Sequence, residues 1–274
     1  MIQDIAPHKF HNEYRPDAVL AGSSPVICFD GRRMLAKTGD EGLILPAASM
    51  LGNAKDIHYG FAIDETEYFI YVGKKTAVVP GFSYEDIRSL RRCSGNIDGM
   101  IMFTGFHLCQ WYKDFAYCGR CGSRNEHHPV ERAMHCPVCD RNMYPRIMPA
   151  VIIGVIDGDR LLLTKYREGF NNYALVAGFT EIGETLEETV SREVMEEAGL
   201  KVKNIRYYKS QPWGLAGDIL AGFYCDVDGS NEIRMDENEL KLAQFMTKDE
   251  IVLQPDSFSL TNEMMKRFKD GLIC

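Results

Sequence analysis

Residues 178–200 read GFTEIGETLEETVSREVMEEAGL, and one helix bounded by glycines is predicted within this stretch. Thr185 and Glu188 have the spacing of a capping box, in which the hydroxyl accepts a hydrogen bond from an early backbone N–H and the glutamate reaches back to the cap. Gly199 is suited to ending the helix in the left-handed conformation. We therefore expect a helix over residues 185–198. Its apolar stripe, at about 100° per residue, comprises Leu186, Val190, Val194 and Ala198.

The same helix carries three carboxylates on the face next to that stripe. Glu193, Glu196 and Glu197 are spaced i, i+3 and i+4, which places them side by side. Like charges at this spacing destabilise a helix by roughly 0.2–0.5 kcal/mol per pair, so a compensating cation is expected. Mg²⁺ or Mn²⁺ fits, because these hard cations prefer carboxylate oxygens and leave positions for water and phosphate. The alternative interpretation is a solvated acidic face without a ligand.

The fixed positions of this stretch follow a known signature. Gly178 is separated by five residues from Glu184, and seven further residues lead to the run REVMEEAGL at 192–200. The string matches GX5EX7REUXEEXGU, where U is aliphatic, and so resembles the Nudix hydrolase signature at every fixed position. This resemblance implies an α+β fold, namely a Nudix α/β/α sandwich with a mixed sheet. It also implies that the catalytic residues are Glu193, Glu196 and Glu197, which would bind Mg²⁺ or Mn²⁺.

The composition is that of an ordinary globular protein. The chain has 274 residues, of which 45% are hydrophobic and 26% charged, enough for about two domains with a buried core. The net charge of −8 argues against a surface that binds polyanions, because phosphate contacts are made by Lys and Arg. It does not exclude a phosphate-bearing substrate, since a bound metal supplies positive charge locally.

Targeting signals and long apolar segments are not found in the sequence. No charged-then-apolar leader opens it, and the apolar run near residues 151–156 is far shorter than the ~20 residues that span a membrane. We therefore expect a cytoplasmic protein with no membrane partner. In a reducing compartment, clustered cysteines indicate a metal site rather than disulfides.

Four of the nine cysteines form two matched pairs, in the pattern CxxC–x14–CxxC. Two residues between paired cysteines let both sulfurs of one turn reach a tetrahedral ion, so a structural Zn²⁺ site is predicted; the alternative is a redox pair. A closed four-thiolate site has no open position for water, so no direct chemistry is assigned to it. Its ligands would be Cys118, Cys121, Cys136 and Cys139. The remaining cysteines are interpreted as small buried residues: Cys28, Cys93, Cys109, Cys225 and Cys274.

Three domains are predicted: an N-terminal α+β domain at 1–112, a zinc ribbon at 113–147 and a Nudix hydrolase domain at 148–274. In the first, β-prone runs lie at residues 25–29, 42–46, 59–63, 67–72 and 76–80, and helices are expected at 83–92 and 97–113. In the last, strands are expected at 150–156, 160–164, 173–176, 204–210, 219–227 and 240–245, the first two as a hairpin, with a terminal helix at 256–271.

The order of the motifs narrows the resemblance. A cysteine ribbon followed by Tyr144-Pro145-Arg146, the glutamate helix and then Ser210-Gln211-Pro212-Trp213 is similar to the NADH pyrophosphatase, or NAD(+) diphosphatase, family from about residue 111 onward. The resemblance implies hydrolysis of the pyrophosphate bond of NAD(H) to nicotinamide mononucleotide and AMP. It further implies removal of the NAD cap from RNA, which bacterial members perform, and a homodimer.

Family positions carried over to this chain give further expectations. Glu239 would be an additional metal ligand, and one of Glu196 and Glu197 would also act on the attacking water. Arg192 would orient a glutamate by ion pairing. The expected substrate-binding residues are Glu131, Tyr144, Gln211 and Trp213.

The chain departs from the family directly after Trp213. The family's array continues Pro-Phe-Pro-x-Ser, whereas residues 214–218 read GLAGD. Loss of the aromatic ring removes a stack worth ~1–3 kcal/mol, by analogy with base–aromatic stacking. The alternatives are therefore a Nudix pyrophosphatase for another nucleoside diphosphate derivative, such as ADP-ribose or FAD, and a Nudix domain that senses a nucleotide without cleaving it. Trp213 also fits a plain core position.

Overall fold

The computed structural model describes residues 1–39, 42–91, 95–169, 171–255 and 257–273, which form two compact units. The C-terminal unit comprises Met1–Ile2, Ile147–Trp213 and Asp218–Cys274. The N-terminal unit comprises Gln3–Arg146 and Gly214–Gly217. Apart from Met1–Ile2 and Ile147, the stretches predicted as separate domains at 1–112 and 113–147 fall within the N-terminal unit, and their division from each other stays a prediction.

The N-terminal unit consists of short strands and one long helix. Its strands are β1 (Phe10–His11), β2 (Val26–Ile27), β3 (Phe29–Asp30), β4 (Arg33–Gly39), β5 (Gly42–Ile44), β6 (Ile57–Ile63), β7 (Thr66–Tyr71), β8 (Ser83–Asp86), β9 (Glu126–His127), β10 (Met134–Cys136) and β11 (Arg141–Met143). Its helices are α1 (Ile87–Arg91) and α2 (Asn96–Asp114), with 3₁₀ turns at Ala48–Met50 and Ala54–Asp56. The first sheet has the order β1-β6-β7-β2, β4 pairs with β3, β5 and β8, and the ribbon sheet has the order β11-β10-β9.

Most of the predicted elements of this unit are confirmed, and two are wrong. The run at 76–80 joins no strand, although Ala77 and Val79 are buried, so its apolar residues pack without a ladder. The stretch at 83–92 begins as β8, because residues 83–86 pair with β4, and the helix starts only at Ile87. Arg92 and Cys93 lie outside the described residues. The predicted helix at 97–113 is α2, whose side chains Met102, Phe103 and Cys109 are fully or almost fully buried.

The C-terminal unit is a mixed sheet between two helices. Its strands are β12 (Met148–Asp157), β13 (Arg160–Tyr166), β14 (Val176–Phe179), β15 (Val202–Trp213), β16 (Asp218–Val227) and β17 (Leu240–Thr247), and its helices are α3 (Leu186–Ala198) and α4 (Leu260–Lys269). The sheet order is β15-β16-β12-β13-β17, with β12 and β16 parallel. The strand β14 pairs with residues 150–153 of β12, whose far end, at 156–157, pairs with β13.

Alternation along β12 explains why a helix covers each face of the sheet. Val151, Ile153 and Val155 belong to the apolar cluster that contains the stripe of α3. Ala150 and Ile152 belong to the cluster on the other face, which contains the apolar side of α4. Because successive residues of a strand point to opposite faces, an apolar run of this kind requires cover on both sides. The predicted α/β/α sandwich is confirmed.

Individual predictions for this unit hold with small shifts. The hairpin is confirmed, with Asp157 opposite Arg160. The strand expected at 173–176 is displaced to Val176–Phe179, where it finds its partner in β12, and Ala174 makes only an isolated bridge to Thr164. The terminal helix is shorter than 256–271, because the Ser259 side chain caps α4 by accepting a hydrogen bond from the Asn262 backbone N–H. Asp256 lies outside the described residues.

Cysteines outside the paired set are buried where the structure describes them. Cys28, Cys109 and Cys225 are each 0% exposed, and burial raises the pKa of the Cys28 and Cys225 thiols to about 12. They are therefore inert packing residues, as predicted. Cys93 and Cys274 lie outside the described residues. No helix of the described ranges is long and apolar enough to cross a membrane.

Candidate active site

Helix α3 begins and ends where its sequence predicts. The Glu188 backbone N–H donates to Thr185 Oγ1 over 3.2 Å, and the Thr185 N–H donates to Glu188 Oε2 over 2.8 Å, so the capping box is complete. Gly199 has φ 69° and ends the helix in the left-handed region. Val190, Val194 and Ala198 are fully buried against the sheet and anchor the helix. This anchoring fixes the direction of the glutamate face.

Gly178 explains why the signature opens with a glycine. A Cβ built on Gly178 would lie 2.0 Å from Glu193 Oε1 and 1.9 Å from Glu193 Cδ. No side chain fits there, so the bare backbone of β14 makes room for the Glu193 carboxylate. Burial raises the pKa of that carboxyl, against the lowering effect of the neighbouring Arg192.

Arg192 ties the glutamates together, which confirms its predicted ion pairing. Its Nη1 donates to Glu193 Oε1 over 2.7 Å and to Glu196 Oε2 over 2.8 Å. Its Nε donates to Glu184 Oε1 over 2.6 Å, and its Nη2 donates to the Phe179 carbonyl over 2.8 Å. The guanidinium thus bridges the loop before α3 and two carboxylates on it.

Glu184 serves as the permanent anion of this network. Besides Arg192, its carboxylate accepts hydrogen bonds from the Glu181 backbone N–H and the Thr189 hydroxyl, each over 3.0 Å. The Arg192 hydrogen bond, followed by these two, holds the pKa of Glu184 at about 2. The role of this signature glutamate is therefore to keep Arg192 in place by ion pairing.

Glu197 is the buried carboxylate of the site. It is 2% exposed, and its Oε2 has no hydrogen-bond partner among the described residues. Burial raises the pKa of Glu197 to about 8, and the negative charges of Glu193, Glu239 and Asp236 raise it further against a hydrogen bond from the Ala177 backbone. A buried, partly unpaired carboxylate among like charges calls for a cation.

Two residues near Glu197 lie outside every sequence prediction. Tyr166, at the end of β13, has its pKa raised by burial and by the charges of Glu197, Glu239 and Glu193, so it lies among them. The Asp236 backbone N–H donates to the Glu197 carbonyl over 3.1 Å, which joins the loop before β17 to the end of α3. Neither residue carries a local signal, because each reaches the site only through the tertiary fold.

The predicted metal ligand Glu239 is exposed and close to the other carboxylates. Its negative charge contributes to the raised pKa values of both Glu193 and Glu197. Its carbonyl accepts a hydrogen bond from the Arg167 backbone N–H over 2.8 Å, which holds this loop beside the end of β13. The donor set is all carboxylate oxygen, which fits a hard divalent cation, and the unpaired Glu197 oxygen gives such a cation a place to bind.

The four cysteines of the N-terminal unit are arranged differently from these carboxylates. All four Sγ atoms lie within 4.8 Å of one another, and Cys121 and Cys136 are 3.6 Å apart. Within the described ranges, this is the only group of three or more such ligand atoms that converges in this way. Backbone N–H groups of Arg120 and Cys121 lower the pKa of Cys118, and hydrogen bonds from Ser123 lower the pKa of Cys121 to about 6. The neighbouring cysteines raise the pKa of Cys139 to about 12, as expected when four sulfurs crowd together without a cation. The convergence of the four sulfurs forms a structural zinc site.

Glu131 and Tyr144, the expected substrate contacts in the ribbon, lie together. The Tyr144 hydroxyl donates to Glu131 Oε2 over 2.7 Å, and the Tyr144 residue is 55% exposed. The Glu131 backbone N–H donates to His128 Nδ1 over 2.9 Å, which holds the turn. The Tyr144 ring is therefore oriented and accessible, while its contact with a substrate stays a prediction.

Gln211 is buried and holds the backbone at the start of α4. Its side chain is fully buried; Nε2 donates to the Phe258 carbonyl over 2.7 Å, and Oε1 accepts from the Leu260 backbone N–H over 2.7 Å. The amide thereby holds the first turn of α4 against β15. Trp213 is half-buried and packs on the apolar cluster beneath α4, as its core interpretation suggested.

The structure explains why residues 214–218 differ from the family's sequence at Gly214. A Cβ on Gly214 would lie 2.0 Å from the Phe103 carbonyl oxygen of α2, so the proline typical of the family is excluded here by sterics. Asp218 is 5% exposed, and its Oδ1 has no hydrogen-bond partner in the part of the chain that the structure describes. Burial raises the pKa of Asp218 to about 6.

Comparison with known proteins agrees with this geometry. The NUDIX domain family matches residues 146–268, and the NADH pyrophosphatase zinc ribbon domain matches residues 113–144. A crystal structure of a NUDIX hydrolase from Nitrosomonas europaea aligns with a TM-score of 0.50 at 22% identity, covering 56% of this chain and 90% of that one. The fold and the glutamate site thus define the class, a Nudix hydrolase.

Curated relatives place the chain more narrowly. A protein of Photorhabdus laumondii named NAD-capped RNA hydrolase NudC is 34% identical over 197 residues, which are 71% of this chain and 76% of that protein. A protein of the same name from Escherichia coli is 38% identical over 165 residues, 59% of this chain and 63% of that protein. The chain belongs to the family of zinc-ribbon Nudix hydrolases that contains these relatives.

Proposed function

We propose that this chain hydrolyses the pyrophosphate bond of NAD(H) to nicotinamide mononucleotide and AMP, and that it removes the NAD cap from RNA by the same reaction. The observation that carries the proposal is Glu197, a buried carboxylate with an unpaired oxygen among three further acids. The ribbon family and the names of the relatives support NAD as the substrate class.

The proposal assigns the divalent metal to the carboxylates of α3 and the loop before β17. Glu193, Glu196, Glu197 and Glu239 would hold Mg²⁺ or Mn²⁺. When bound, such ions neutralise the diphosphate and lower the pKa of coordinated water. Arg192 orients Glu193 and Glu196 by its ion pairs with both carboxylates, and the ion pair with Glu184 keeps Arg192 in place.

Glu197 is the better of the two candidates for the residue that acts on the attacking water. Glu197 is 2% exposed and its Oε2 has no hydrogen-bond partner among the described residues, whereas Glu196 has a side chain that is 59% exposed and paired with Arg192. A carboxylate oxygen that no donor of the protein occupies can accept the proton of the attacking water. Glu196 then acts as a metal ligand.

Substrate contacts are proposed for Glu131, Tyr144 and Trp213, while Gln211 supports the site by holding α4. The exposed Tyr144 ring suits stacking on a base. In this proposal the enzyme is a cytoplasmic homodimer, because reducing conditions preserve the ribbon thiolates and the family resemblance implies a dimer.

A second candidate substrate is another nucleoside diphosphate derivative, such as ADP-ribose or FAD. Gly214 and Asp218 favour it, because residues 214–218 carry no aromatic ring for stacking and Asp218 adds a buried carboxylate. An acidic oxygen in this position would accept a hydrogen bond from an amino or hydroxyl group of the ligand.

The test is a product assay with the purified chain and Mg²⁺ or Mn²⁺, offering NADH, NAD⁺, ADP-ribose, FAD and an NAD-capped RNA in parallel. We expect AMP and nicotinamide mononucleotide from NAD(H), and release of the cap as nicotinamide mononucleotide with a 5′-monophosphate RNA. Cleavage of ADP-ribose or FAD without cleavage of NAD(H) would transfer the proposal to the second candidate. Binding of these compounds without any turnover would replace hydrolysis by nucleotide sensing.

A further inference from the structure

A cavity of about 500 Å³ lies in the N-terminal unit, and no residue of the C-terminal unit lines it. Its walls come from the 3₁₀ turn at Ala54–Asp56, from the segment after β7, from the end of α2 and from the zinc ribbon. Neither Glu131 nor Tyr144 is among its lining residues. The volume is within the range of small-molecule sites, about 300–1,000 Å³.

The charge of this cavity is opposite to that of the chain. Five cationic side chains line it and two acidic ones, an excess of three positive charges in a chain whose net charge is −8. Both acids already have partners, since Asp30 pairs with Arg33 over 2.6 Å and Asp56 accepts from Asn53 over 2.7 Å. The cations are Lys55, Lys74, Lys75, Lys113 and Arg124.

Three of these cations are available for a ligand. Lys113 donates to the Phe29 carbonyl over 3.1 Å, and Lys74 donates to the Tyr117 hydroxyl over 3.4 Å. The side chains of Lys55, Lys75 and Arg124 make no ion pair or hydrogen bond with any residue that the structure describes, and all three residues are exposed. Unpaired cations around a concave surface favour an anionic ligand.

Aromatic rings form the inner wall of the cavity. His58 and His127 stack with ring centroids 3.8 Å apart, and Tyr112 lies 5.1 Å from the His127 ring. Burial lowers the pKa of both histidines, that of His58 to about 4, so the stacked pair is neutral at neutral pH and adds an uncharged flat surface. Tyr117 is 52% exposed and adds a further ring beside Lys74.

Two buried residues of this wall have an unpaired polar atom. The Tyr112 hydroxyl and the Asn125 side-chain oxygen are without a hydrogen-bond partner among the described residues, and the two residues are 4% and 5% exposed. The Asn125 amide nitrogen donates to the Phe115 carbonyl over 2.8 Å, so the orientation of this side chain is held. Unpaired buried groups of this kind are uncommon in folded proteins.

We propose that this cavity is a second nucleotide site, which binds a nucleoside phosphate without cleaving it. Lys55, Lys75 and Arg124 contact the phosphate, and the histidine and tyrosine rings contact the base. The nucleotide is either a free mononucleotide or one unit of a single-stranded RNA, since both present the same phosphate and base. This site stands independently of the reaction proposed for α3, whose glutamates contribute nothing to it.

The experiment follows the imidazole NMR signals of the zinc-loaded full chain without added Mg²⁺ or Mn²⁺. The probes are AMP, adenosine, inorganic phosphate and a 5′-phosphorylated RNA hexanucleotide. We expect AMP to move the signals of His58 and His127 and to leave those of His8 and His11 in place, with adenosine and phosphate binding at least tenfold more weakly. If the hexanucleotide shifts the signals of His58 and His127 at concentrations where AMP has no effect, the site is also supported, and its ligand is a unit of single-stranded RNA.

A charge-matched pair of variants decides whether the cavity binds the probe. Lys55→Ala/Lys75→Ala should weaken binding at least tenfold, while Lys9→Ala/Lys201→Ala, which removes two exposed lysines elsewhere, should leave it unchanged. The first variant should keep normal NADH turnover, so failure of this proposal is separable from failure of the hydrolase proposal. Signals of His58 and His127 that stay still with every probe, or equal affinities in the two double variants, would overturn the proposal.

Discussion

The zinc site of the ribbon and the metal site that we propose on α3 hold anionic ligands in opposite ways. In the ribbon, four sulfurs converge within 4.8 Å of one another, and backbone N–H groups of Arg120 and Cys121 lower the pKa of Cys118. On α3, Arg192 holds Glu193 and Glu196, and the Glu197 carboxyl has a pKa of about 8. The first arrangement is closed around one ion, whereas the second keeps its carboxylates available for an ion that also meets substrate.

The difference follows from what each site does. A structural site contributes folding free energy, so its ligands must meet in one geometry. A hydrolytic metal site needs coordination positions that the protein leaves open for water and substrate. The same chain should therefore respond in two separable ways when each site is damaged.

The largest expected effect is on the ribbon. Cys136→Ser removes a fully buried sulfur ligand, and we expect loss of bound zinc and of the folding free energy that it supplies; zinc binding supplies on the order of 10 kcal/mol in zinc-finger peptides. The measurement is zinc content per chain with thermal unfolding. Cys28→Ala, which removes another buried thiol, should keep its zinc. Full zinc content in Cys136→Ser would contradict the four-thiolate site.

The next effect is on turnover alone. Glu197→Gln keeps the shape of the side chain but removes its charge, and we expect kcat to fall by about 10³-fold or more, equal to about 4 kcal/mol of activation free energy. Zinc content and the unfolding temperature of the N-terminal unit should not fall. The exposed Glu187→Gln on the same helix is the control and should retain kcat. Near-normal turnover in folded Glu197→Gln would remove this residue from the mechanism.

The glutamate helix could be predicted from the sequence because its signals are local. The capping box, the apolar stripe and the terminal glycine all lie within residues 185–199, and the structure has α3 at Leu186–Ala198. The zinc site could be predicted equally well, since the two residues between paired cysteines determine the geometry of each turn. Most strand positions of the C-terminal unit followed from such local patterns with shifts of a few residues.

Features that depend on distant contacts could not be predicted in this way. Tyr166 and Asp236 reach the carboxylates from β13 and from the loop before β17, and nothing in their own neighbourhood marks them. The buried role of Gln211 depends on α4, which is 49 residues further along the chain at the Leu260 contact. Gly214 is explained by its approach to α2, a contact between residues far apart in sequence.

The third prediction concerns the space that Gly178 leaves for the Glu193 carboxylate. Gly178→Ala would place a methyl group about where the Glu193 carboxylate lies, so that carboxylate must move. A displacement of about 1 Å in a catalytic group can cost about 10²-fold, and we expect a fall in kcat of that size with the zinc site intact. Gly52→Ala, where the new methyl meets nothing within 4 Å, is the matched control. Equal turnover of the two variants would show that Glu193 tolerates the shift.

The smallest effect concerns pH and separates the carboxylates from the thiolates. Without divalent cations, the pKa of Glu197 is raised to about 8 from 4.5, so the folded state holds a proton that the unfolded chain has lost. The stabilisation is complete below pH 4.5 and disappears as pH rises through 8, so unfolding of the C-terminal unit should cost about 2 kcal/mol less at pH 8 than at pH 6. Thermal unfolding in metal-free buffer, with zinc retained, measures this. Glu197→Gln cannot lose the proton, so most of this pH dependence should be absent from the variant and from the native chain with Mg²⁺ bound; the smaller slope left in the variant comes from other groups with raised pKa values, such as Asp218. A native profile as flat as that of Glu197→Gln would mean that the buried carboxyl is ionised without a cation.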